Sequence, residues 1–152
     1  MNKTKEMIAG GVLGLASLVG LGGCMMDGGY GYNGYSFDVN LPEFVVCREW
    51  IDDQYPQSYV NSGELRGMGL TGFKPGETVN AVFLNKRGMN VRAKMEVYGP
   101  SGNLECSGAE GEVPAGGWYR QPFTLGGKLG LHGFYLKVND HIISKKEILV
   151  VD

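Results

Sequence analysis

Val91-Arg92-Ala93-Lys94-Met95-Glu96-Val97-Tyr98 alternates apolar and polar side chains without a break. A period of two puts Val91, Ala93, Met95 and Val97 on one face of a strand and Arg92, Lys94, Glu96 and Tyr98 on the other. This is a half-buried β-strand. Gly99-Pro100-Ser101-Gly102-Asn103 supplies turn chemistry directly behind it, and Leu104 to Ser107 returns as a short strand carrying Cys106.

The same grammar extends in both directions. Upstream, Thr78 to Leu84 reads as a strand between the turns Lys74-Pro75-Gly76 and Asn85-Lys86-Arg87-Gly88. Phe44 to Ile51 is an apolar, β-branched and aromatic run, also read as a strand. Asp52 to Ser62, which holds Pro56, is a loop, and Glu64 to Phe73 is weakly strand-like. Downstream come a strand over Trp118 to Leu125, the turn Gly126-Gly127-Lys128, and an alternating strand in which Phe134, Leu136 and Val138 face away from Tyr135 and Lys137. Asn139-Asp140-His141 is a hairpin connection to a closing strand, Ile142 to Val151. No stretch carries a helical period with caps. Short strands at this spacing predict an all-β fold, an antiparallel β-sandwich of about seven strands over residues 43–152.

The N-terminus follows different rules. Lys3 and Lys5 precede an apolar and small-residue run from Met7 to Leu21. That run is too short for a helix crossing a ~30 Å hydrocarbon core, which needs ~20 residues. It has the layout of a secretory signal. Leu21-Gly22-Gly23-Cys24 resembles the lipobox of bacterial lipoproteins. The resemblance implies that residues 1–23 are removed and that Cys24 is lipidated as the new N-terminus. It also implies sorting by the following residue: Met25, rather than Asp, points to the outer membrane, or to the plasma membrane in a Gram-positive source. Met25 to Ser36 holds Tyr30, Tyr32 and Tyr35 among glycines, so residues 24–42 read as a lipidated N-terminus and flexible Gly/Tyr-rich tether.

The chain has 152 residues, 26 of them Gly, with 14 Lys plus Arg against 16 Asp plus Glu. Removing residues 1–23 takes two Lys and one Glu with it and leaves a mildly acidic single domain. Nucleic-acid binders usually show a basic patch or stripe, so nucleic acid is not expected as a partner.

The order of features in the domain is familiar. Phe73-Lys74-Pro75-Gly76-Glu77-Thr78-Val79 is followed by Val97-Tyr98-Gly99-Pro100-Ser101-Gly102, a strand led by Trp118, and Gly133-Phe134-Tyr135-Leu136-Lys137-Val138-Asn139. This pattern resembles the immunoglobulin-like domains of bacterial envelope proteins. Trp50 follows Cys47 by only three positions, so the antibody type of inter-sheet disulfide is not implied. With Cys24 committed to lipid, Cys47 and Cys106 form an even pair in an exported chain, which reads as a disulfide, with two buried free thiols as the alternative.

Motifs for chemistry are weak. Gly67-Met68-Gly69-Leu70-Thr71-Gly72 has the letters of a dinucleotide loop, but Phe73-Lys74-Pro75-Gly76 cannot open the helix that loop requires. Gly99-Pro100-Ser101-Gly102-Asn103 lacks the last Gly of a nucleophile elbow. His132 and His141 read as solvated loop histidines, and Asp52, Asp53 and Asp140 as loop carboxylates without a calcium-loop spacing. No catalytic residue, metal ligand or cofactor is expected.

If the strand at Val91 and the strand at Phe134 are neighbours, their outward residues form one patch of Arg92, Lys94, Tyr98, Tyr135 and Lys137, with Glu96 among them. Cations beside aromatics suit recognition of a protein, an anionic group or a carbohydrate. The expectation is a lipid-anchored, non-catalytic binding or assembly module of the bacterial envelope. The alternatives are a glycan-binding module and a small envelope hydrolase.

Overall fold

The computed structural model describes residues 24–26, 32–34, 36–50, 59–60, 65–66 and 72–152. Among these residues the chain is all β, without a helix. The strands are β1 (Cys24–Met26), β2 (Tyr32–Gly34), β3 (Ser36–Phe37), β4 (Phe44–Cys47), β5 (Glu49–Trp50), β6 (Tyr59–Val60) and β7 (Leu65–Arg66), followed by β8 (Thr78–Leu84), β9 (Val91–Tyr98), β10 (Leu104–Ser107), β11 (Gly111–Val113), β12 (Trp118–Leu125), β13 (Gly130–Val138) and β14 (His141–Val150).

Two antiparallel sheets carry the fold. Sheet I has the order β10-β9-β13-β14, with β11 also paired to β9, and sheet II the order β1-β12-β8-β4, with β2 also paired to β12. Between them lies the main core, in which Val91, Ala93, Met95 and Val97 of β9 meet Phe83 of β8 and Phe123 of β12. Phe123 and Phe134 pack edge to face across it, with ring centroids 5.7 Å apart. A second cluster covers the opposite side of sheet II, where Val82, Leu84 and Trp118 pack with Phe37 and Leu41.

These two cores explain the sequence patterns. Sheet II is covered on both faces, so six consecutive residues of β8, Val79 to Leu84, are buried and its period is hidden. Sheet I keeps one face toward water, so the sequence of β9 alternates, although Glu96 on that face is covered by its neighbours.

Short connections define two ends. At the hairpin end, Asn139 and Asp140 take φ of 50° and 70°, the paired positive values of a type I′ turn. Asn85 ties that end together from within: its amide nitrogen donates to the carbonyls of Met89, Val113 and Pro114 at 2.9, 3.2 and 3.0 Å. The other end gathers the 99–103 turn, the 126–129 connection and the start of β13. The Gly99 and Gly102 amides close that first turn, donating to Asn103 O and Gly99 O at 2.9 and 3.0 Å.

Three expectations need correction. Residues 24–42 are not wholly a tether, because β1 runs antiparallel to β12 with Cys24 opposite Leu125, and β2 continues along β12 with Gly34 opposite Trp118. The expected strand over Phe44 to Ile51 bends at Arg48 into β4 and β5. The Cys47–Cys106 disulfide is not formed, since Cys47 is a buried free thiol. Alternation along β4 explains this: Phe44 and Val46 face the main core, whereas Val45 and Cys47 face the second cluster. Cys106 packs against the main core, on the other side of sheet II. The readings of residues 1–23, Tyr30, Tyr35, Asp52 and Asp53, and the glycine run from Gly67 through Thr71 lie outside the described residues.

Candidate binding face on sheet I

The outward residues of β9 and β13 stand side by side. Antiparallel register sets Lys94 opposite Lys137, Glu96 opposite Tyr135, and Tyr98 opposite Gly133. Arg92, Lys94, Tyr98, Tyr135 and Lys137 therefore share one solvent-facing surface. Like charges directly opposite destabilise a sheet, and Glu96 relieves the lysine pair. Its Oε2 accepts from Lys137 Nζ at 3.2 Å, and its Oε1 accepts from the Tyr98 hydroxyl at 3.1 Å.

The two tyrosines form a preset aromatic unit. Their rings meet edge to face at 5.0 Å and 73°, a favoured geometry for aromatic pairs. Glycine at position 133 makes room: a Cβ there would come 3.0 Å from Tyr135 Cε1. On the β14 side, Lys145 Nζ lies 5.4 Å from the Tyr135 ring centroid and 3.3 Å from Glu147 Oε2. Partial desolvation, together with the hydrogen bond to Glu96, raises the Tyr98 phenol above its ordinary range. The contact of Lys145 with Tyr135, then its pairing with Glu147, raises that ammonium as well. Both groups hold their protons at neutral pH.

Arg92 differs from its neighbours. It is exposed and lies 4.0 Å from Glu110 and 3.7 Å from Asp140, so nearby carboxylates share its charge. Among the described residues Lys94 has no ion pair. The cationic character of the face is centred on Lys94, Lys137 and Lys145.

Lys145 is the contributor that the sequence did not nominate. A hairpin counted from Asn139-Asp140 without interruption sets Ser144 opposite Tyr135. A bulge between Leu136 and Lys137 shifts the pairing, so Lys145 takes that place. Such an extra residue leaves no local signature beyond the turn itself.

The histidines divide. His141 is exposed, with Nδ1 2.9 Å from its neighbour Asn139 O. His132 is not a solvated loop histidine, because it lies on β13 with its side chain 1% exposed. Its Nε2 stands 3.2 Å from Glu105 Oε1, and Nδ1 lies 3.1 Å from Gly130 O. A second bulge, between Val97 and Tyr98, makes Glu105 the extra residue of β10 and turns its side chain inward, where it is 3% exposed. His132 Nε2 and Glu105 Oε1 are close, but neither makes a hydrogen bond to the other or to another described group. Their burial leaves the imidazole no surface on which to meet a substrate. Among the described residues no group of three or more His, Cys, Asp or Glu is arranged to hold a metal.

Comparison with known proteins adds little to this geometry. No protein-family model matches the chain, and no curated protein matches it. Among solved structures it is similar to the alkylpurine DNA glycosylase AlkC of Pseudomonas fluorescens, bound to DNA containing an abasic site analog, at 11% identity and a TM-score of 0.40. That likeness covers 72% of this chain and 31% of the glycosylase chain. At that level it bears on neither fold nor function.

Proposed function

We propose that the mature chain is a lipid-anchored, non-catalytic binding or assembly module of the bacterial envelope, in which an immunoglobulin-like sandwich presents the outer face of sheet I to a partner. Cys24 carries the lipid, the outer membrane is the destination, and the partner is an envelope protein rather than nucleic acid. The observation behind this reading is the Tyr98–Tyr135 pair, locked edge to face and flanked by Lys94, Lys137 and Lys145. Rigid aromatics beside cations, ordered before binding, lose little conformational freedom when a partner arrives.

Tyr135→Ala tests it. The ring sits on the surface, so its loss removes the contact platform while the core stays intact. Partner binding is expected to fall by at least about tenfold, equivalent to about 1.4 kcal/mol, with the Tm within about 3 °C of the parent, as for a ΔΔG under about 0.5 kcal/mol. A matching loss of folding, or unchanged binding, contradicts the reading.

A further inference from the structure

One edge of sheet I is open. β14 ends the order β10-β9-β13-β14 and pairs with β13 on one side only. At its C-terminal end the other side is taken. Phe73 bridges Val150 in parallel, the Gly72 and Phe73 amides donate to Leu149 O at 3.1 and 2.9 Å, and the Val151 amide donates to Phe73 O at 2.8 Å. These bonds fix the phase of the strand. Leu149 and Val151 aim their peptide groups away from β13, so alternation aims those of Lys145 and Glu147 the same way. Among the described residues no strand meets them.

Burial marks the same stretch. From His141 to Glu147 every side chain is exposed except the half-buried Ser144, and burial begins at Ile148. Ser144 and Lys146 lie opposite Leu136 and Phe134, on the inner face, so sheet II stops short of them. Roughly 20 Å of edge, at ~3.3 Å per residue, thus has room on both faces for one more strand. Open edges of this kind pair with extended segments of other chains.

Charge selects the occupant. Lys145 and Lys146 are consecutive, so one projects from the outer face and the other from the inner face. Lys145 is shared with Glu147 at 3.3 Å, and among the described residues Lys146 has no ion pair. Other acids nearby are engaged: Glu43 with Arg87, Glu77 with Arg48, and Asp140 with Arg92. Glu49 is exposed next to Arg48, whose guanidinium covers the Phe73 ring at the occupied end. Ile142 and Ile143 add apolar surface, 55 and 36% exposed. A second copy fits poorly. Centring the free edge on itself sets Lys145 against its own counterpart, and like charges directly opposite repel.

We propose that β14 takes an added strand from an envelope protein, an extended acidic segment whose backbone bonds to the outward N–H and C=O groups of Lys145 and Glu147. Two consecutive carboxylates of that segment meet Lys145 on the outer face and Lys146 on the inner face, and an apolar side chain covers Ile142 and Ile143. The proposal rests on the reading of this protein as a binding module and adds the form of the partner. Tyr135, opposite Lys145 on β13, borders the docked strand.

The test uses the full-length protein and synthetic peptides of alternating Thr and Val with a central Glu-Glu, Gln-Gln or Lys-Lys pair. Affinity is read by fluorescence anisotropy and amide exchange by NMR. The Glu-Glu peptide is expected to bind at least about tenfold more tightly than the Gln-Gln peptide. It should slow exchange at Lys145 and Glu147 at least about tenfold, while Ser144 and Lys146, whose peptide groups face β13, keep their rates. Glu147→Pro removes one outward N–H at an edge position that tolerates proline. It is expected to lower binding at least about tenfold, with the Tm within about 3 °C of the parent. Should that variant lose its fold, Lys145→Glu with Lys146→Glu replaces it, and the preference is expected to turn to the Lys-Lys peptide. Equal binding of all three peptides, or no slowing at Lys145 and Glu147, overturns the edge proposal and leaves the Tyr135 face to its own binding test. Binding kept by Glu147→Pro and lost by Tyr135→Ala moves the peptide to the face and overturns the edge alone. Slowing of both amides with rising protein concentration and no peptide puts a second copy on the edge and overturns the acidic partner.

Discussion

Cys47 shows how one position on a strand decides a side chain's chemistry. Placed one residue earlier on β4, where Val46 stands, it would face the main core, toward the side on which Cys106 packs. Where it stands, burial pushes the thiol up from 9.0 to about 12, with Arg120 opposing the rise. The protonated form is thus favoured by folding. Its contribution to stability is complete below about pH 9 and is lost as pH rises from there through about 12. Because the thiolate is the reactive form, iodoacetamide at about pH 8 should label Cys47 in native protein roughly a hundredfold more slowly than in unfolded protein. Equal rates would show that the thiol is neither buried nor protonated as described. Nothing in the sequence distinguished this outcome from a disulfide, since cysteine parity is silent about which face of a strand each residue occupies. His132 misled for a related reason. Its environment depends on Glu105, whose inward turn comes from a bulge 27 positions earlier in the chain.

At the scale of elements, β8, β9, β10 and β12 fall where their sequence patterns place them, and the hairpin joining β13 to β14 closes at Asn139-Asp140 as turn chemistry predicts. Short three-residue strands were not legible. Gly111–Val113 carries too little periodicity, and β1 and β2 lie in a Gly/Tyr-rich stretch whose composition reads as linker. Their order comes from β12, which offers an edge for them to pair with. Gly34 marks the contact: a Cβ at this position would lie 2.3 Å from the Trp118 indole. Only a residue without a side chain lets the backbone lie on that ring. Gly34→Ala is therefore expected to lower stability by about 1–3 kcal/mol, as overpacking does, and to speed amide exchange along β2. Unchanged stability and exchange would mean that residues 32–34 do not dock on β12. Registers at bulges were equally out of reach, and they placed Lys145, not Ser144, beside Tyr135.

For the whole molecule, the two sheets divide the work. Sheet II is covered on both sides, by the main core and by the cluster around Leu41 and Trp118, and it takes up the N-terminal strands. Sheet I leaves one broad face in water, with an ordered aromatic pair and three lysines. The neighbourhood of Arg92, Lys94, Tyr98, Tyr135 and Lys137 was legible because alternation fixes which residues point outward. Adjacency of the two strands was an expectation drawn from the immunoglobulin-like resemblance, and the pairing of β9 with β13 supplies it. What the face binds is a separate matter, and one experiment addresses it most directly. A photoreactive side chain replaces Tyr135 in one variant and Val39, which is 73% exposed near the hairpin end, in another. Each is crosslinked in intact cells. Capture of one envelope protein from position 135, absent from position 39 and lost when Lys94 and Lys137 are replaced by Ala, is the predicted result. No capture from position 135, or the same capture from both positions, would contradict the assignment of this face as the binding surface.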